Sequence, residues 1–166
     1  MINLFLMNLG TNEGAWLNDL PLDEEEINSF IREHHISTPL NEEFIIADYE
    51  SDDCPLTINE YSNVWQINQA LMEFMELDEE QQLLVKAYME QHSGSIDGFY
   101  EALEVMDSIG FDSSIEDYTD LGYFLTEGLF DSKDSILSTY FDYEAYGRDY
   151  CWSGYADITS YGCLFY

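Results

Sequence analysis

Thirty-five Asp and Glu face only four Lys and Arg in this 166-residue chain, leaving a formal charge of −31 at pH 7. Like charges at that density repel one another and oppose compaction, so a fold must rest on ample apolar material. The chain has it. Leu, Ile, Val and Phe make up 44 of the 166 residues and 16% of the chain is aromatic, well above the composition of a disordered polyanion, where those four aliphatic and aromatic types fall under about 20%. A folded protein is expected. The same charge excludes a nucleic-acid binder that works through phosphate contacts, because that affinity comes from clustered cations. The partner should be cationic, and no nucleic acid is expected as ligand.

The length suits one ordinary domain or two to three very small ones. No charge-led apolar leader is read at the N-terminus and no apolar run approaches bilayer thickness, so a soluble, cytoplasmic protein with no membrane partner is expected. Cys54, Cys151 and Cys163 are odd in number, widely spaced and lack a CxxC. They read as reduced, small apolar residues rather than a disulfide framework or zinc site.

Along the chain, the dense apolar run Ile2–Leu9, the turn cluster Gly10–Gly14 and the restart at Ala15–Leu17 predict a β-hairpin. Asp23–Glu26 load the first turn of a helix whose stripe is Ile27, Phe30 and Ile31, ending near His34–Thr38 before Pro39. Phe44–Tyr49 predicts a strand, closed by Ser51, Asp52, Asp53, Cys54 and Pro55. Next comes a helical stretch. Thr57-x-x-Glu60 reads as a capping box ahead of Val64, Ile67, Leu71, Phe74 and Met75. Asp78 with Gln81 caps a second helix carrying Leu83, Leu84, Ala87 and Tyr88, and Ser93-Gly94 breaks it. Ile96, Phe99, Tyr100, Leu103 and Met106 form a third stripe, so these short amphipathic helices predict a small bundle. Tyr118, Leu121, Leu125 and Leu129 share one face of a further helix; Asp131–Ser135 reads as a loop, Ile136–Tyr150 as helix-prone, and the tail from Gly154 as a hairpin around Ser160–Gly162.

The acids are not a tail. Residues 1–61, 62–107 and 108–166 each carry ten or more acids against at most two bases. B-DNA presents one negative charge per ~1.7 Å of axis, so this net charge matches the phosphates of about 53 Å, or roughly 16 base pairs. A compact chain of this length would span only about 40 Å, so the match improves if the body is elongated or if two copies join end to end. Carboxylates on exposed helix faces at i, i+3 and i+4 spacing can stand in for phosphate oxygens. The candidates are Asp23, Glu24, Glu25, Glu79, Glu80, Glu116, Asp117, Asp120 and Glu127. The expectation is a duplex mimic that occupies the basic cleft of a DNA-handling enzyme.

Competing chemistries fare worse. An EF-hand loop needs Gly at position 6 and Glu at 12; the stretch from Asp112 lacks the Gly and the one from Asp131 puts Lys133 at a ligand position. A glycosidase needs two positioned carboxyls, but nothing selects a pair. There is no G-x-S-x-G, P-loop or H-E-x-x-H. His34 and His35 are adjacent, so on a helix they point about 100° apart and cannot share a metal in the i, i+4 manner. An aromatic platform for bases would repel the nucleic-acid backbone without cations. No catalytic, cofactor-binding or metal-binding residue is expected.

The stretch Tyr140-Phe-Asp-Tyr-Glu-Ala-Tyr-Gly-Arg-Asp149 resembles the signature of ArdA-type antirestriction proteins, a family carried on conjugative plasmids and transposons. Met7–Gly10, Asn12–Trp16, Ala47–Glu50 and the closing Gly162 with its aromatics agree, so the similarity spans nearly the whole chain. By matched position the family motif is Tyr140, Asp142, Tyr143, Tyr146, Gly147, Arg148 and Asp149. The resemblance implies a curved, elongated α+β protein of three small abutting domains that mimics bent B-form DNA and dimerises through its C-terminal part. It also implies a type I restriction–modification enzyme as partner, blocked stoichiometrically without catalysis or cofactor. The corresponding boundaries are an N-terminal α+β domain at 1–60, a helical bundle at 61–107 and a C-terminal α+β domain at 108–166 bearing the motif and the dimer contact. Arg148, one of four cations, is expected to pair with an Asp or Glu that orders this region or a subunit contact. Halophilic adaptation would explain the charge but not Tyr-Gly-Arg-Asp at a set place. The alternative is an acidic interaction module that sequesters another basic DNA-binding protein.

Overall fold

The computed structural model describes residues 2–51, 54–127 and 135–166, with side chains of the last stretch described from Ser138 onward. Asp52, Asp53, Leu129, Lys133 and the expected loop before Ser135 lie outside the described residues. The elements run β1 (Ile2–Asn8), β2 (Gly14–Leu20), α1 (Glu24–Glu33), β3 (Phe44–Ser51), α2 (Val64–Glu76), α3 (Glu79–Gln91), α4 (Ile96–Val105), β4 (Gly110–Asp112), α5 (Tyr118–Thr126), α6 (Ser135–Tyr140), α7 (Tyr143–Trp152), β5 (Ala156–Thr159) and β6 (Gly162–Phe165). The fold is α+β, as expected. Packing divides the chain into two compact units: Met1–Leu77 with Gly94–Tyr100, and Asp78–Ser93 with Glu101–Tyr166. The stretch read as a bundle is therefore shared between them, α2 in the first and α3 in the second.

In the first unit β1 is the central strand of an antiparallel sheet ordered β2-β1-β3. Its burial alternates residue by residue, with Ile2, Leu4, Leu6 and Asn8 inward, which is the period-2 pattern of a half-buried strand. Phe5 and Trp16 face each other across the hairpin with ring centroids 5.3 Å apart. The hairpin is the predicted one, although β2 runs on to Leu20. α1 starts where expected: the Asp23 backbone N–H donates to Glu26 Oε2 at 3.1 Å, and Ile27 and Ile31 are buried. It ends at His34, inside the predicted range.

The Thr57-x-x-Glu60 capping box does not form. The Ile46 N–H donates to the Glu60 carbonyl at 3.0 Å, holding that segment against β3 in a non-helical path. The cap of α2 is instead Asn63, whose Oδ1 accepts from Trp65 and Gln66 N–H. Val64, Ile67, Leu71 and Phe74 are buried as predicted, but Met75 in the last turn is exposed. Asn68 ties α2 to the loop after β2, accepting from Leu22 N–H at 2.7 Å and donating to its carbonyl at 2.8 Å. Phe99 of α4 is fully buried and meets Phe74 edge-on at 6.5 Å.

The second unit holds an antiparallel sheet ordered β4-β6-β5. The β5–β6 hairpin is the predicted tail, and Gly162, at φ +140°, sits where a Cβ would press on the Asp112 carbonyl. β4 carries only three residues and no pattern announces it. The Asp78–Gln81 capping box of α3 forms as read, with bonds of 2.9 and 3.0 Å. Ile115, Leu121, Ala156 and Cys163 make a buried cluster with Leu125, Tyr150, Cys151, Ile158 and Phe165 packed on it. The helix-prone stretch from Ile136 forms two helices, divided where Asp142 caps α7 by accepting from Ala145 N–H at 3.0 Å.

Candidate functional site

Charge is sorted by sign between interior and surface. No described Asp or Glu is buried, and all but Glu73, Asp112, Asp120 and Asp157 are exposed. The cations go the other way. Lys86 is buried, its Nζ 5.6 Å from the Tyr161 ring centroid, and Arg148 is half-buried. Of the described cations only Arg32 is exposed, where it donates to Ser29 Oγ at 3.2 Å. Among the described residues, the charge that meets solvent is therefore almost all negative.

Local helix chemistry explains where many carboxylates stand. The partial positive charge of a helix N-terminus stabilises acids in the first turn, each by about 0.3–1 kcal/mol. In the first unit, Glu24 and Glu25 lie exposed on the first turn of α1, with Asp23 at its N-cap. In the second, Glu79 and Glu80 stand in the same way on α3. Glu116, Asp117 and Asp120 gather at the start of α5. There Asp117 Oδ1 accepts from Thr119 and Asp120 N–H at 2.7 and 2.9 Å, and Asp120 Oδ2 accepts from Glu116 N–H at 3.2 Å. Glu127 stands exposed at the other end of α5. Asp23, Asp78, Asp117 and Asp142 thus serve as helix caps, and the glutamates beside them project into water.

The motif residues come together around α7. Gly147 and Gly122 lie where α7 and α5 cross: a Cβ on Gly147 would overlap the Tyr118 carbonyl oxygen, and one on Gly122 the Tyr143 carbonyl oxygen. Bare backbone on both helices permits that approach. Tyr143 stacks on Tyr123 at 4.0 Å, and Phe141 meets both Tyr143 and Tyr146 edge-on at 5.0 and 5.5 Å. Tyr140 stands 85% exposed at the end of α6. The Asp149 carbonyl accepts from the Ser153 N–H and hydroxyl at 3.1 and 2.8 Å, while its carboxylate faces solvent. Arg148 contacts an aromatic ring within its own helix. Its guanidinium lies over the Trp152 ring, Cζ 5.1 Å from the centroid, and its buried Nε has no hydrogen-bond partner among the described residues. Gly122, Tyr123 and Trp152 belong to this arrangement and were not singled out from sequence; a glycine inside a helical run was the available signal for the first.

Two of the three thiols are held protonated by their surroundings. Burial pushes Cys163 up to about 12, helped by Cys151, Asp112 and Asp157, and burial and Asp157 raise Cys151 as well. Both stay protonated at neutral pH, which is unsuited to nucleophilic or metal-ligand roles. Among the described residues no three His, Cys, Asp or Glu side chains converge to hold a metal, and no helix is long and apolar enough to cross a membrane.

No curated relative matches the chain. The family model for antirestriction protein (ArdA) matches residues 3–165, and with that span the chain belongs to the ArdA antirestriction family.

Proposed function

We propose that this protein inhibits type I restriction–modification enzymes stoichiometrically, by offering their DNA-binding cleft a surface that substitutes for B-form DNA. The observation that carries the reading is the sorting of charge: a packed scaffold turns its carboxylates outward and draws two of its few cations inward. Binding of DNA to a cationic cleft releases the counterions condensed on its phosphates, and a folded polyanion brings counterions of its own for the same cleft to displace. Presentation on a packed scaffold adds to this, because a backbone already ordered in capped helices loses less entropy on docking. The nine candidate carboxylates are proposed as phosphate substitutes, those on the first turns of α1 and α3 foremost. Two copies are proposed to associate through the C-terminal region that carries the motif, with no chemistry and no cofactor.

The test is competition. A purified type I enzyme is mixed with labelled target duplex and increasing inhibitor at low salt. Duplex should be released near one inhibitor per cleft, and the inhibitor's affinity should fall steeply as salt rises through the range where surface charges are screened. Duplex that stays bound at large excess would sink the proposal, and displacement of duplex from unrelated basic proteins instead would favour general sequestration.

A further inference from the structure

In the first unit an open cleft of about 320 Å³ is lined by Leu9, Gly10, Leu40, Asn41, Glu42 and Glu43. Its frame is fixed from below by Asn8, which is fully buried. Asn8 Oδ1 accepts from Gly10 and Thr11 N–H at 2.8 and 3.1 Å, and its Nδ2 donates to the Ile36 and Asn41 carbonyls, both at 2.9 Å. Every hydrogen-bonding position of that amide is turned to shaping the two turns that form the walls. Thr38 and Asn41 exchange backbone bonds of 3.0 Å in each direction, and Leu9 N–H donates to the Glu43 carbonyl at 3.1 Å. The tight turn leaves Leu40 at its tip, 92% exposed, with Leu9 45% exposed in the same cleft.

A single exposed leucine is ordinary. Two of them lining a cleft whose frame is locked by a buried asparagine, with the exposed Glu42 and Glu43 in the same lining, favour a particular ligand chemistry. The apolar walls suit methylenes and the rim suits a cation at the end of them. An arginine side chain combines both, with a weakly hydrated planar head that pairs well with carboxylates. We propose that this cleft receives one arginine side chain of the cationic partner, its methylenes on Leu9 and Leu40 and its guanidinium at Glu42 and Glu43. The identity of the partner rests on the function proposed above; the ligand chemistry does not. Unlike contacts spread over the acidic helix ends, this one gains from apolar burial and should resist salt.

The probe is n-butylguanidinium, titrated into isotopically labelled protein and followed by NMR, with guanidinium as the control lacking methylenes. Saturable shifts confined to the amides of Leu9, Gly10 and Asn41–Glu43 and to the Leu9 and Leu40 methyls are expected, weaker by roughly five- to tenfold in affinity in Leu40→Ala from the lost apolar contact. Because Leu40 is exposed, this variant keeps the fold, and Glu42→Gln with Glu43→Gln gives a second, volume-preserving check. Shifts spread evenly over the starts of α1 and α3, or equal for guanidinium, or unaltered in Leu40→Ala, overturn the site. The duplex-displacement assay separates the two failures. If wild-type protein displaces duplex and Leu40→Ala does so equally well, the cleft is not a contact and the inference falls alone. Wild-type protein that displaces nothing removes the proposed function, while the NMR result still decides the cleft.

Discussion

The sheet of the first unit and the α5–α7 crossing of the second both bury apolar surface beneath a negative exterior, but they tolerate change in opposite ways. β1 inserts a row of large side chains, Ile2, Leu4 and Leu6, into a core that surrounds them. The crossing works by leaving side chains out: Gly122 and Gly147 let one helix backbone lie on the other. The first device is damaged by removing carbon and the second by adding it. The family motif sits on the second, so Gly147 at its centre has a structural reason that charge mimicry would not supply.

The largest expected effect follows from this. Helix propensity alone predicts that Gly147→Ala gains about 0.5–1 kcal/mol. The Tyr118 carbonyl in its way is main chain and cannot rotate aside, so a loss of about 3 kcal/mol or more is expected, the upper range for overpacking. Gly154→Ala meets no atom within 4 Å but sits at φ +77° and should lose only about 1–2 kcal/mol. Urea midpoints of the two variants check the order; a stabilised Gly147→Ala would mean that the helices do not cross this closely.

Alkaline pH probes the interior of the same unit. Cys163 ionises near 9 in a free chain and is pushed up to about 12 by burial. Burial and a hydrogen bond to Asp157 likewise raise Tyr166 above its ordinary 10, and burial, with Glu101, raises Tyr88. A group whose folded value lies above its unfolded one favours the fold below the unfolded value and loses that contribution as pH climbs to the folded one. Stability should therefore be flat through neutral pH and fall between about 9 and 12, and Cys163→Ala should make the fall shallower. Chemical denaturation at stepped pH measures both slopes; identical slopes would mean the thiol is not buried in the folded state.

How far these features could be read in advance depended on the range of the interaction that decides them. The alternation of β1, the stripe of α1 and the Asp78–Gln81 box are set by residues within one or two turns, and each was readable. Thr57–Glu60 carried an equally good local signal and lost to a long-range one, the backbone bond from Ile46. The break at Asp142 was local yet hidden, since an aspartate preceding a helix-prone run reads as well inside the helix as capping it. The Gly122–Gly147 approach joins residues on different helices, and no spacing rule pairs them. The cleft beside Leu40 carries no local sequence signal, because its key residue, Asn8, looks like the polar end of an apolar strand. Exposure of the acids followed from their chemistry alone.

Among the carboxylates, effects should split by role. Asp142→Ala and Asp117→Ala each strip a cap that holds backbone N–H groups and should cost about 1 kcal/mol. Glu25→Gln leaves a residue of the same volume on an exposed first turn, where only part of a dipole interaction of about 0.3–1 kcal/mol is lost. Its effect on duplex displacement should be smaller still, below about twofold, because affinity for a phosphate-binding cleft is summed over many weak contacts. Stepwise neutralisation of Glu24, Glu25, Glu79 and Glu80 should then lower the salt slope of displacement gradually, by a similar amount per charge. A single substitution among them that abolished displacement would show a local hot spot instead of a distributed one. That outcome would leave the fold and the family intact while removing the reason to regard the acidic surface as a substitute for a duplex.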